Sequence, residues 1–317
     1  MDLSSVITSL LIVYFVAGLL VLCVGAYYFI EGAINLSYSV GLPRLIVGSV
    51  VMSIATTSPE ILVSATAIKE GQVGIALGNI FGSFIANIGL VLGVAGLIRP
   101  IKVPFVILHR QIPYTIIALM LLVVLSLGAY VESMDLIILY ALLGIWVMWL
   151  IMHLKEEKGT LLPEVSLPWF LIIAQFIGGI LAMQLGAYLI IYTAEGMAIQ
   201  MGVNPYTVGL SIVAVGTSLP ELASAIYGSI KKEHELVMSN IIGANILLIL
   251  LVLPIVVTLS SQPIVMSGAW GDFLFMGVLS VLLWLFSARF DQSWEINRIE
   301  ALLLLCVFIA YQFFVYR

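Results

Sequence analysis

Charge is scarce in this chain. Of 317 residues, 9% are Asp, Glu, Lys or Arg and 62% are apolar, with a mean hydropathy of +1.21. So few charges cannot cover a water-soluble domain of this size, so the composition excludes a soluble fold and indicates a polytopic membrane protein. Cysteine is also rare. Cys23 and Cys306 both lie in apolar runs, which excludes a disulfide framework and a CxxC metal site. The three histidines, His109, His153 and His234, sit at the edges of apolar runs and make no metal-ligand spacing. No aspartate lies in the middle of an apolar run, HExxH is absent, and no Ser/His pair lies at depth, which argues against an intramembrane hydrolase. A basic leader region is missing too, and the first apolar run is far longer than a signal-peptide core, so it reads as a retained span. The formal net charge of −5 carries little about partners when most of the surface faces lipid.

Apolar runs are what the chain has in abundance. Counting spans of about 20 residues between charge clusters and Pro/Gly breaks predicts ten, near 6–37, 43–68, 72–98, 107–127, 134–153, 168–200, 206–230, 234–258, 269–287 and 297–316. Assigning the loops alternately to two sides gathers Arg44, Arg99, Lys102, Arg110, Lys155, Lys158, Lys231, Lys232, Arg289 and Arg298 on one side and only Lys69 and Arg317 on the other. By the positive-inside rule the richer side is cytoplasmic, so both termini are expected outside the cytoplasm of a cell (plasma) membrane protein. The polar stretch 154–167 is a cytoplasmic linker, too short for a folded domain. It separates a first five-span repeat, 1–153, from a second, 168–317. Five is odd, so the second repeat enters the membrane in the opposite sense to the first. The expected fold class is therefore all-α and polytopic, with ten transmembrane helices in two inverted five-helix repeats.

One segment occurs twice. Val47-Gly48 followed by Thr56-Thr57-Ser58-Pro59-Glu60 returns 161 positions later as Val208-Gly209 followed by Thr217-Ser218-Leu219-Pro220-Glu221. In the same register, Asn79-Ile80-Phe81-Gly82 becomes Asn240-Ile241-Ile242-Gly243. A carboxylate inside an apolar span is costly without a partner and marks a functional site by default. Two of them, equivalently placed in two repeats, are the pattern of a transporter whose ion site lies at the repeat interface. Helical spacing puts Thr56 on the face of Glu60, and Thr217 on that of Glu221. Pro59 and Pro220 have no N–H, so they free the carbonyls of Ala55 and Gly216. In the third span Asn79, Ser83 and Asn87 are spaced four apart on one face. Carboxylate, hydroxyl, amide and carbonyl oxygens gathered together suit hard cations such as Na+ and Ca2+. Two carboxylates also balance one divalent charge. Single Ser, Thr or Asn residues in spans commonly do no more than bond a neighbouring helix; two repeated Pro-Glu pairs need more explanation than that. Glu31 and Glu195, near span ends, read as interfacial.

At these residues the chain resembles the cation/calcium exchanger superfamily, and within it the prokaryotic sodium/calcium exchangers. Gly216-Thr217-Ser218-Leu219-Pro220-Glu221 matches that family's Gly-Thr-Ser-Leu-Pro-Glu motif throughout, and Ala55-Thr56-Thr57-Ser58-Pro59-Glu60 matches at Thr, Pro and Glu. Gly78-Asn79-Ile80-Phe81-Gly82-Ser83, with Asn87 four residues on, is close to the family's second motif. The resemblance implies a transporter and no enzyme, with no cofactor, working by alternating access as its first and sixth helices move across a rigid core. It implies Ca2+ and Na+ as transported ions, held centrally by Glu60 and Glu221. Oxygens at Thr56, Thr57, Ser83, Asn87, Thr217 and Ser218 would complete the metal sites. The expected partners are the lipid bilayer and metal cations, with no nucleic acid, and the chain is expected to act as a monomer.

The second repeat departs from the pattern. Ala244 and Leu248 stand where Ser83 and Asn87 stand in the first, at positions where the family usually has Ser and a carboxylate. Leucine cannot coordinate a cation. Fewer ligand oxygens argue against three bound Na+ and keep an alternative open: a Ca2+/H+, or other cation/H+, exchanger in which glutamates carry the proton. A non-transporting scaffold derived from an exchanger would also fit Leu248, but not the intact Glu60 and Glu221.

Overall fold

In lipid a backbone must satisfy its own hydrogen bonds, which long apolar helices do. The computed structural model of the chain is built almost wholly from them. It describes residues 3–128, 130–131, 133–156, 167–200, 214–260, 263–266, 268–288 and 294–315. The helices are α1 (Leu3–Val40), α2 (Arg44–Thr56), α3 (Ser58–Lys69), α4 (Val73–Ile98), α5 (Ile107–Gly128), α6 (Ser133–Glu156), α7 (Trp169–Gln200), α8 (Ala214–Thr217), α9 (Leu219–Ile230), α10 (His234–Leu259), α11 (Trp270–Ser287) and α12 (Arg298–Val315). Among the described residues seven helices, α1, α4, α5, α6, α7, α10 and α11, are long and apolar enough to cross a membrane. The α2–α3 pair, bent by 40°, makes an eighth if taken as one span. Of the expected ten, the seventh begins within 201–213, outside the described residues along with Val208 and Gly209, and continues as α8 and α9. The tenth coincides with the 18-residue helix α12. Most of the 154–167 linker and both chain ends also lie outside the described residues.

Burial sorts the helices. In α4 and α10, 83% and 78% of the span is buried, against 17–39% in the other five. These two form the centre, and α1, α5, α6, α7 and α11 present apolar side chains outward. The centre is packed closely because small residues let backbones approach. A Cβ on Gly243 of α10 would lie 2.5 Å from the Ser49 carbonyl oxygen of α2. Among the described residues four helical stretches widen to π-type turns, at Val47–Met52, Ile107–Gln111, Asn87–Leu92 and Leu248–Val252; the last two begin at positions equivalent in the repeat. Such turns are rare and recur at functional sites.

Outside this centre, α1 and α7 pack along most of their length. Gly18, Gly25 and Gly32 recur every seven residues on α1. A Cβ at Gly25 or Gly32 would sit 2.6 Å from the backbone nitrogen of Met183 or Phe176. Asn35 Nδ2 donates to Gln175 Oε1 at 3.0 Å across the same interface.

Among the described residues, four short strands close the ends. β1 (Ile101–Lys102) pairs antiparallel with β4 (Glu295–Ile296), and β2 (Tyr130–Val131) with β3 (Ile264–Val265). Each pair joins a connection of the first half to one of the second. Next to β1 and β4, a cavity of about 390 Å³ is lined by Arg44, Lys102, Lys232, Glu233 and Trp294, among others. Four of the connections assigned to the basic side thus meet at one end of the molecule. Arg44 Nε pairs there with Glu233 Oε2 at 2.7 Å, and Lys231 Nζ with Glu31 Oε1 at 2.5 Å. The Glu31 carboxylate raises the Lys231 ammonium's affinity for its proton above the usual lysine value.

Candidate cation site

Each copy of the repeated segment breaks its helix at the same place. In the first, α2 ends at Thr56, Thr57 takes φ −78° and ψ −3°, and α3 starts with Ser58. In the second, Ser218 takes φ −86° and ψ 3° between α8 and α9. Proline falls in the first turn of the new helix both times, where a missing N–H costs nothing. The break sets two helix ends against each other: carbonyl oxygens of the helix that stops, and the glutamate in the first turn of the helix that starts.

Glu60 and Glu221 are both buried, with 2% and 1% of their surface exposed, and near enough for Glu221 to repel Glu60. The threonines do not serve the glutamates of their own segments, as the i, i+4 spacing suggests, because the break intervenes. Thr56 instead reaches the Glu221 carboxylate and Thr217 that of Glu60. The same hydroxyls face amides of the other half, so each divides its single proton between carboxylate and amide oxygen: Thr56 Oγ1 lies 3.4 Å from Asn240 Oδ1, and Thr217 Oγ1 3.2 Å from Asn79 Oδ1. Asn79 is further engaged through Nδ2, to Ser64 Oγ at 2.9 Å and the Glu60 carbonyl at 3.2 Å. The two halves therefore meet at the glutamates through a reciprocal lattice of threonine and asparagine.

Against that background, several oxygens stand apart. Thr57 Oγ1, Glu60 Oε2, Ser83 Oγ, Asn87 Oδ1, Ser218 Oγ and Glu221 Oε2 are all buried and have no hydrogen-bond partner. Ser83 does face the Glu60 carboxylate, outside hydrogen-bond geometry. Six of the eight residues named from the sequence thus hold an unpaired buried oxygen; the other two, Thr56 and Thr217, hold the lattice. A buried polar group without a partner is expensive and calls for an explanation. Carboxylate, hydroxyl and amide oxygens of this kind are the ligands that Ca2+ takes, six to eight at a time. Among the described residues no cluster of three or more His, Cys, Asp or Glu exists to offer a softer metal a site.

The halves contribute unequally. Ser83 and Asn87 of α4 each present an unpaired oxygen, whereas on α10 Ala244 and Leu248 are buried and apolar. Asn245 of α10 has no role that the sequence alone assigns. Its Oδ1 accepts from Asn87 Nδ2 at 2.9 Å, which fixes the amide so that Asn87 Oδ1 stays free. The only cue in the sequence was an asparagine in an apolar helix. Gln111 is a second residue not anticipated; from α5 it donates through Nε2 to Ser49 Oγ at 2.8 Å and braces α2.

The model of the sodium/calcium exchanger protein family matches residues 10–155 and 171–317. The chain belongs to this family. It is 34% identical to the inner membrane protein YrbG of Escherichia coli K12, over 87% of this chain and 88% of that one. With the sodium/calcium exchanger MaX1 of Methanosarcina acetivorans it shares 23% identity, over 93% and 95%. Among solved structures, the sodium-calcium exchanger NCX_Mj soaked with Na+ and Sr2+ superposes with a TM-score of 0.82 and 28% identity, covering 96% of this chain and 98% of that one. As a member of the sodium/calcium exchanger family, the protein is a multi-pass membrane antiporter of cations including Ca2+.

Proposed function

We propose that the protein exchanges Ca2+ for Na+ by alternating access, holding one Ca2+ between Glu60 and Glu221. Six unpaired buried oxygens, drawn from both halves, carry this reading. Thr57, Ser83, Asn87 and Ser218 supply neutral ligands beside the two carboxylates, and flanking Na+ sites draw on the same hydroxyls and on carbonyls at the helix breaks. Thr56 and Thr217 orient the glutamates across the interface. The mutual repulsion of the carboxylates is the electrostatic drive for cation entry: one divalent ion, or successive Na+ ions, removes it.

Ten spans in two inverted repeats, 1–153 and 168–317, frame this site, and the strand pairing supports the inversion. β1 follows the third span and β4 precedes the tenth; were the repeats parallel, those two connections would lie on opposite sides of the membrane and could not pair. The convergence of Arg44, Lys102 and Lys232 at that same end supports placing it in the cytoplasm, with both termini outside the plasma membrane. A monomer suffices, since both halves of the site come from one chain.

A second reading, Ca2+/H+ exchange, is favoured by one observation: Ala244 and Leu248 add no oxygen from α10. Reconstitution into liposomes separates the two. Uptake of radiolabelled Ca2+ driven by an outward Na+ gradient, and not by a pH gradient, is expected; uptake driven only by the pH gradient replaces Na+ with H+ as the coupling ion.

A further inference from the structure

The first helix break carries a hydroxyl that the second lacks, since Ser58 stands where Leu219 stands in the other copy. Pro59 has no N–H, so the Ala55 carbonyl loses its helical donor. Ser58 supplies one: its Oγ donates to the Ala55 oxygen at 2.7 Å. With its single proton given away, Ser58 Oγ is an acceptor, and Gln184 Nε2 of α7 donates to it at 2.7 Å. That order also fixes which way the Gln184 amide points, because Ser58 has no proton left for Oε1. At the second break Leu219 has nothing to donate and packs against the apolar cluster of Leu22, Ala26 and Met183 on α1 and α7. The two breaks are alike in backbone and unlike in what holds them.

We infer that Ser58 and Gln184 are positioning residues of the cation site, linking the first break to the position of α7; this rests on the proposed antiport reading. Ala55 immediately precedes Thr56, whose hydroxyl reaches Glu221, and Thr57, whose hydroxyl is buried and unpaired, so whatever holds the Ala55 carbonyl sets the aim of that turn. The α7 helix is bound to α1 through the glycine stripe and the Asn35–Gln175 bond, so the two shift as a unit. A shift that parts Gln184 from Ser58 removes the donor to the serine oxygen and uncouples α7 from the break, while the serine proton stays on the Ala55 carbonyl. Through this chain the α1–α7 unit senses the oxygens of the first copy, while at the second break the residue equivalent to Ser58, Leu219, offers it apolar contact.

The test is a double-mutant cycle on the full chain in proteoliposomes, read as KM and maximal rate of Ca2+ uptake. Gln184→Leu leaves Ser58 capping Ala55, so the expected result is a maximal rate lowered threefold or more with KM for Ca2+ within about twofold. Ser58→Ala changes both parameters, and adding Gln184→Leu to it has no further effect because its partner is gone. Ser58→Thr keeps the hydroxyl and restores sensitivity to Gln184→Leu, which separates positioning from a packing defect. Equal fractional effects of Gln184→Leu in the wild-type and Ser58→Ala backgrounds, or no effect in either, overturn the inference. Uptake by wild type that is lost in Glu60→Gln marks such a failure as belonging to this linkage; a wild type that moves no cation marks the failure as that of the antiport reading.

Discussion

Glu60→Gln keeps the size of the side chain and removes one of the two charges that face the cation. At an effective dielectric of about 20 and roughly 4 Å, a unit charge attracts a divalent ion by about 8 kcal/mol before dehydration is counted. If only a third of that survives as net binding energy, the loss is about 2.7 kcal/mol, or a hundredfold in affinity. Cation binding shows itself in stability. Ca2+ at a hundred times its wild-type Kd stabilises the folded state by about 2.7 kcal/mol, whereas at the weakened affinity the same concentration contributes about 0.4 kcal/mol. The cation-free protein moves the other way, because the substitution relieves the repulsion that Glu221 exerts on Glu60. The expected outcome is therefore a detergent-solubilised variant that melts higher than wild type without Ca2+, gains almost nothing when Ca2+ is added, and transports none in liposomes. Thermal unfolding monitored by tryptophan fluorescence, paired with radiolabelled Ca2+ uptake, measures all three. A variant that keeps the full Ca2+-induced rise in melting temperature, or transports at the wild-type rate, refutes a site shared between the two glutamates.

Other consequences are open to measurement. Asn245→Leu removes the acceptor that holds Asn87, so Asn87 Oδ1 loses its aim and the KM for Ca2+ should rise several-fold while Glu60→Gln-type inactivation does not occur; an unchanged KM would remove Asn87 from the ligand set. Leu248→Asp restores an oxygen ligand from α10 and should raise the Hill coefficient for Na+ or shift the reversal potential of exchange, and a wild type that already shows three-Na+ electrogenic exchange with no change in the variant would leave Leu248 a neutral replacement. Single cysteines at positions 2 and 317 in a Cys23/Cys306-free background should react with an impermeant thiol reagent from outside intact cells, and one at 158 only after permeabilisation; opposite labelling of the two termini would mean an odd number of spans.

Much of the site was legible because the bilayer makes polar residues conspicuous. Glu60 and Glu221 stand out for cost alone, and the repeat tied them together without any knowledge of contacts. Ser83 and Asn87 followed from helical spacing, which held because α4 stays helical as far as the turn that begins at Asn87. Spacing misassigned the threonines for the converse reason. Thr56 and Glu60 are four apart, but the chain changes direction at Thr57, so the hydroxyl is delivered to the other half. Tertiary pairings had no sequence signal at all: Asn245 with Asn87, Gln111 with Ser49 and Gln184 with Ser58 depend on which helices become neighbours. The Ala55 carbonyl is an intermediate case. Proline predicted that it would need a donor, and only the fold revealed that the adjacent serine provides one.

The exchanged strands bear on how such a chain is made. β1 and β2 belong to the part that emerges first, and each has its partner in the part that emerges last. The same holds for the threonines, whose acceptors lie across the interface. The β1 and β2 edges of the first half can therefore pair only after the segments carrying β4 and β3 have been made. Among the described residues, both strand pairs join a connection of 1–153 to one of 168–317, so two half-chains synthesised separately in one cell would carry both partners of each pair.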